Sequence, residues 1–314
     1  KVYHPPASSV AGALGARLGA TMVDGSGLHI IRMREPHLRE VFSMIDRENW
    51  GWEFAEIQQI HRLDQASSIV ALDGRELVGL VTCVDFGAVA FIVHVIVKKG
   101  WRRKGVGVRM MREVLAGLDS RGVPTVELHA NPEAVQFYDQ FSFRRVEDVS
   151  FYIKDPPHAP GPCADGQEAF EQMPTGDLEG VSEALSRATG YPEPDIGNAI
   201  RRMPPDLVLA RREGGRATAL LLSRTAVKLN AAGPWFMDRP DRASAGAMMH
   251  MLLSRLPPKR VDILAPESNE VAAAVLGSCG FTVAKAGIVR LSRSSGPVRP
   301  FPDSVLMSGH LGPV

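Results

Sequence analysis

Three things are scarce in this 314-residue chain: cysteine, long hydrophobic runs and charge of one sign. Cys83, Cys163 and Cys279 are far apart and odd in number. That excludes a disulfide framework and a CxxC metal knuckle, and points to a reducing, cytoplasmic setting with no bound metal. The longest nearly apolar stretch, 87–97, is broken by His94 and is too short for a hydrocarbon core of ~30 Å, so no membrane span is expected. The 36 Lys and Arg stand against 35 Asp and Glu, a net charge of +1. So small a surplus argues against a general nucleic-acid or membrane-surface binder. Residues 1–27 are rich in Ala, Gly and Ser but lack the apolar core of a signal peptide. They read as a flexible extension, within which Met22 is a candidate natural start.

What is present is an ordinary globular balance, 45% apolar and 23% charged. At ~150 residues per domain the length suggests two domains. The segment 155–166, DPPHAPGPCADG, holds four prolines and two glycines with no periodicity, and reads as a linker. The expected division is an extension over 1–27, a first unit over 28–154, the linker, and a second unit over 167–314.

The first unit reads as mixed α/β. Residues 28–33 form a strand, and Leu38, Val41, Phe42 and Ile45 follow at helical spacing after Pro36. Residues 67–72 and 76–84 alternate around Asp73-Gly74, a hairpin signal. Residues 91–97 (FIVHVIV) read as a strand buried on both faces. Gly105 opens a helix striped by Val108, Met111, Leu115 and Leu118 and ended by Gly122. A strand at 125–129, a short helix at 132–140, and a closing pair, 143–146 with 150–153, complete the unit.

The second unit repeats this order. With an offset of 140, Met33, Leu38, Val41, Val97 and Arg102 fall on Met173, Leu178, Val181, Met237 and Arg242. With an offset of 138, Asn131 and Phe143 fall on Asn269 and Phe281. Matches kept in one order point to a duplicated domain.

The most informative segment is 95–107, VIVKKGWRRKGVG: a strand, a basic turn, then Arg102-x-x-Gly105-x-Gly107 opening a helix. A helix N-terminus presents unpaired N–H groups and a positive dipole end, so it suits an anion. Glycine lets a phosphate approach the backbone closely. Residues 98–112 hold seven basic residues and no acidic one, a concentrated field in a nearly neutral protein. The bland alternative is a solvated basic face with glycines for packing. A dinucleotide GxGxxG is excluded by Met110, and the Walker pattern is absent.

This strand, Arg-x-x-Gly-x-Gly and helix resemble the acetyl-CoA pyrophosphate site of the GCN5-related N-acetyltransferase (GNAT) superfamily. Asn131-Pro-Glu-Ala-Val-Gln-Phe137-Tyr138, followed by Phe141-Ser-Phe143, is similar to the family's second signature, with Ser142 where glycine is usual. The resemblance covers 28–154 well and 167–314 more loosely. It implies two tandem GNAT folds, each a mixed, mostly antiparallel twisted sheet flanked by helices. It also implies direct transfer of acetyl from acetyl-CoA, as co-substrate, to an amine. Val95, Ile96 and Val97 would line a splay filled by the pantetheine arm, with Val95 and Val97 pairing to it. Arg102, Arg103, Lys104, Gly105, Val106, Gly107 and Val108 would hold the pyrophosphate. Asn131 and Phe137 belong to the same cofactor site, and Tyr138 would protonate the departing thiolate.

An ammonium with a pKa near ~10.4 cannot attack until it is deprotonated. His94, the polar residue of the buried strand, and Glu48 are the leading candidate bases, with Glu53 and Glu127 as further ones. In the second unit Ala245, Ala247 and Leu276 fall where Gly105, Gly107 and Tyr138 stand, so that copy reads as degenerate and structural, closing the acceptor site or pairing with the first sheet. The expected acceptor is a small-molecule primary amine, and the chain a monomer or homodimer with no nucleic-acid or membrane partner. A non-catalytic CoA-binding sensor and a protein N-acetyltransferase are the rival readings.

Overall fold

The computed structural model describes residues 27–156, 170–174, 179–303 and 305–307. The N-terminal extension and nearly all of the linker lie outside the described residues. No helix among the described residues is long and apolar enough to cross a membrane.

The first unit runs β1 (Leu28–Arg32), α1 (Leu38–Asp46), α2 (Phe54–Leu63), β2 (Ile69–Asp73), β3 (Glu76–Asp85), β4 (Val89–Val97), α3 (Val106–Ser120), β5 (Thr125–Ala130), α4 (Val135–Asp139) and β6 (Arg144–Lys154). The second runs β7 (Glu171–Met173), α5 (Glu179–Thr189), α6 (Glu193–Arg202), β8 (Leu207–Glu213), β9 (Arg216–Thr225), β10 (Leu229–Met237), α7 (Arg242–Arg255), β11 (Arg260–Pro266), α8 (Glu270–Ser278), β12 (Thr282–Ser294) and β13 (Val305–Met307). The repeated order is therefore structural as well as sequential.

Local chemistry explains most elements. Asp73 pairs with Glu76 around Gly74 at φ 58°, which gives the β2–β3 hairpin its turn. Helix α3 buries Val106, Met110, Met111, Val114, Leu115 and Leu118, a stripe at helical spacing that packs on β2, β3 and β4. Pairing is antiparallel except for β4 with β5 and β10 with β11, the strands joined by the crossover helices α3 and α7.

One sheet joins both units, in the order β1-β2-β3-β4-β5-β12-β6-β11-β10-β9-β8-β7. Strand β12 of the second unit lies between β5 and β6 of the first, and β6 pairs on its other side with β11. The expected closing pair within 143–153 is thus a single strand. Its middle residues Glu147 and Asp148 read as a turn, but they stay extended because β12 pairs with them through Arg290 and Val289.

Candidate active site

Strand β4 is not buried on both faces as its composition suggests: Phe91, Val93, Val95 and Val97 are half-buried, alternating with buried neighbours. Thr82 faces His94 and Cys83 faces Ile92, so Val93 is an extra residue, a bulge in β4. Parallel pairing between β4 and β5 ends at Phe91 and Glu127, although both strands continue. Beyond that point they part. A cavity of about 530 Å³ opens there, lined by Val93, His94 and Val95 of β4 and by Leu128, His129 and Ala130 of β5.

At one end of β4 lies the turn before α3. Gly105 is the N-cap at φ 80°, no side chain caps the helix, and a Cβ built on Gly105 would meet nothing within 4 Å. The first-turn amides of Val106, Gly107 and Val108 thus have no side-chain cap at the positive end of the helix. Arg103, also left-handed at φ 61°, and Lys104 are exposed beside it, Lys104 lying over the Trp101 ring at 5.1 Å. Residues and geometry fit a pyrophosphate. Gly107 has a different role from the one expected: its missing Cβ faces Phe137 at 3.3 Å, so it serves packing of α3 on α4 rather than phosphate approach. Phe137 is accordingly a packing residue, set edge-on to Tyr138 and Phe141. Ile96 turns its buried side chain to the core under α1 and α2. Arg102 donates from Nε to the Val97 carbonyl at 2.9 Å and from Nη2 to Glu48 at 3.2 Å, clamping the turn to the end of β4.

Tyr138 lines the cavity, and burial pushes its hydroxyl up to about 12, so it keeps its proton at physiological pH. Asn131 lines it as well and accepts from Lys285 of β12 at 2.6 Å. His94 is 1% exposed, hydrogen-bonded through Nδ1 to Thr82 Oγ1 at 2.7 Å, stacked under Trp50 and edge-on to Trp52.

The carboxylates expected as bases are not in the cavity. Glu48 is bonded to Arg102, whose guanidinium is also anchored on the Val97 carbonyl. Glu53 accepts the Lys228 N–H at 2.6 Å and caps α2. Glu127 gives both oxygens to Arg290, at 3.1 Å each. Two carboxylates that the sequence did not single out do line the cavity: Glu56 of α2 and Asp262 of β11. Glu56 carries a legible signal, three residues after Glu53, but that spacing reads as a helix cap. Asp262 is brought in only by the fused sheet.

Among the described residues the second unit shows a different arrangement at the matching place, for reasons the offset alignment did not show. Residues 98–105 join β4 to α3, but only 238–241 join β10 to α7. The positional equivalent of Gly105 is therefore Asp241, not Ala245, which is buried in the body of α7. Asp241 caps α7 by accepting the Ser244 N–H at 2.8 Å, so a carboxylate already holds that helix end. Strands β10 and β11 also part, after Ala231 and Asp262, but β13 pairs antiparallel with β10 at Trp235 and Phe236 and touches β11. Asn269 fastens this strand by donating to the carbonyls of Asp303 and Val305 at 2.9 and 3.1 Å.

The profile of the acetyltransferase (GNAT) family matches residues 33–143, which contain α3 and the cavity-lining β4, β5 and α4. The first unit is a GNAT domain. The whole chain has the tandem GNAT fold. It is similar to a putative acetyltransferase from Pyrococcus horikoshii, with TM-score 0.73 and 17% identity over 93% of this chain and 98% of that one. It is similar to a GCN5-related N-acetyltransferase from Sphaerobacter thermophilus, with TM-score 0.65 and 14% identity over 88% and 98% of the two chains. It also resembles a tandem GNAT protein from the clavulanic acid biosynthesis pathway, with TM-score 0.61 and 14% identity over 86% and 99%. At these identities the likeness is one of fold. No curated protein sequence matches the chain significantly.

Proposed function

We propose that the chain is a cytoplasmic, acetyl-CoA-dependent N-acetyltransferase whose first unit acylates a primary amine of a small molecule. The observation that carries this reading is the parting of β4 from β5 after Phe91 and Glu127: the cavity that holds Tyr138 opens there, and the uncapped N-terminus of α3 follows the end of β4. The Val106–Val108 amides, with Arg103 and Lys104, hold the pyrophosphate in this reading, and the exposed edge of β4 at Val95 and Val97 takes the pantetheine amides. Acetyl-CoA supplies an acyl group activated as a thioester. Tyr138 keeps its hydroxyl protonated and directs it to the sulfur, which stabilises the leaving thiolate. The test is a panel of amines incubated with acetyl-CoA, with free thiol and N-acetyl product measured. Release of thiol matched by acetylated amine is expected. Acetyl-CoA binding without turnover on any amine would instead favour a CoA-binding sensor, and preference for a peptide N-terminus a protein acetyltransferase.

A further inference from the structure

The two carboxylates in the cavity differ in how they are held. Asp262, 6% exposed, has both oxygens on Arg260, which donates from Nε and Nη2 at 2.7 Å each. Glu56, 7% exposed, uses Oε2 to accept the Glu53 N–H at 2.6 Å. Desolvation raises the Glu56 carboxyl above its ordinary range; the charges of Glu53 and Asp262 add to this, and the Glu53 N–H and Arg224 oppose it. That direction favours proton uptake. The same cavity is lined by Trp50 and Trp52, which pack around His94 with ring centroids 5.8 and 4.5 Å from the imidazole. Trp50 remains 43% exposed. Between them Gly51, at φ 81°, lets the loop settle on the second unit, since a Cβ there would lie 3.3 Å from Arg260 Nη2. Indole rings and buried carboxylates lining one cavity favour an organic cation over an anionic guest.

Resting on the acetyltransferase reading above, we propose that the acceptor enters as an ammonium seated between the Trp50–Trp52 loop and the Glu56–Asp262 pair, and that Glu56 removes its proton. The ammonium gives one proton to the Glu56 carboxylate, and the nitrogen lone pair then bonds to the thioester carbonyl carbon. The carbon–sulfur bond breaks with its electron pair on sulfur. The proton still to be lost from nitrogen ends on that sulfur beside the Tyr138 hydroxyl, and Glu56 returns its own to solvent. One amide, one thiol and one proton result. The second unit thereby shapes the acceptor site through Asp262, which Arg260 positions.

Glu56→Gln tests this without breaking the helix start, because Gln at the same capping-box position also accepts the N-cap N–H. At neutral pH, kcat on an alkylamine should fall by roughly 100-fold or more. It should recover as pH approaches the amine's own pKa, where free amine no longer needs a base, and calorimetric affinity for acetyl-CoA should be unchanged. Glu53, Asp262, Arg224, Arg260, His94 and Lys285 also face or lie near this group, so native protein and variant are compared over the same pH range. Asp262→Asn should raise KM by about tenfold, the scale of one lost ionic hydrogen bond, with kcat less affected. With CoA in place of acetyl-CoA, tryptophan fluorescence should report weaker alkylamine binding in both variants. If Glu56→Gln keeps kcat within about threefold of the native value, far from the loss of a positioned base, or if arylamines uncharged at neutral pH are preferred, the assignment is overturned. If the protein binds acetyl-CoA but acetylates no amine, the acetyltransferase reading falls, and this proposal with it.

Discussion

Arg290 on β12 holds both carboxylate oxygens of Glu127 on β5 at 3.1 Å each. On its other side the same guanidinium is bonded to Glu147 on β6, and it lies 3.8 Å from the centre of the Phe301 ring. All three charged side chains are buried. They sit on neighbouring strands, two from the first unit and one from the second, so this cluster locks the position of the inserted strand.

Removing the cation should be costly. Arg290→Met leaves two buried carboxylates without their partner and should destabilise the chain by about 3–5 kcal/mol, read as a lower denaturant midpoint. Burial already holds the Glu147 carboxyl above its ordinary range, outweighing the opposing pull of Arg290. A raised folded-state pKa gives stability that is present below the unfolded value and lost as pH rises through the folded one. The variant should therefore regain stability relative to native protein as pH falls toward the carboxyl range. Equal midpoints at neutral pH would reject the lock.

Binding stoichiometry separates the two units. A titration with excess acetyl-CoA should find one site per chain, because Asp241 occupies the second helix end and β13 fills the second parting of strands. Asp241→Ala should lower stability by about 1 kcal/mol through loss of the cap and still bind one equivalent. Two sites of similar affinity in the native protein would contradict this.

Tyr138→Phe should lower kcat by roughly one to three powers of ten where chemistry limits the rate, with acetyl-CoA affinity nearly unchanged. Since burial pushes the hydroxyl up to about 12, its ionisation should cause no loss of kcat between pH 7 and pH 10, a range set by that value. Unaltered turnover in the variant would remove Tyr138 from the reaction.

Ser142 stands at φ 65° in the turn between α4 and β6. A non-glycine residue in the left-handed region costs about 1–2 kcal/mol, while glycine loses about 0.5–1 kcal/mol through the unfolded chain. Ser142→Gly should therefore raise the melting temperature slightly without changing activity. A lower melting temperature would show that the serine side chain outweighs its strain.

Much of the site was legible locally. The Arg102-x-x-Gly105-x-Gly107 turn, the Tyr138 helix, the Asp73-Gly74 hairpin and the repeated order of elements depend on residues close together in the chain, where periodicity and turn chemistry act. The identity of the acidic groups was not legible. Glu48, Glu53 and Glu127 are chemically as able as Glu56, but they are bonded to Arg102, the Lys228 N–H and Arg290 and do not line the cavity.

By itself the sequence determined the two α/β units, the glycine-led helix start after the basic turn and the short helix carrying Tyr138, because each is written in neighbouring residues. The tertiary structure decided that β12 enters the first unit's sheet, that β13 fills the second unit's parting, and that Asp262 reaches the first unit's cavity. Those outcomes depend on pairing remote strand edges and matching buried charges across them, and neither is expressed in any local pattern.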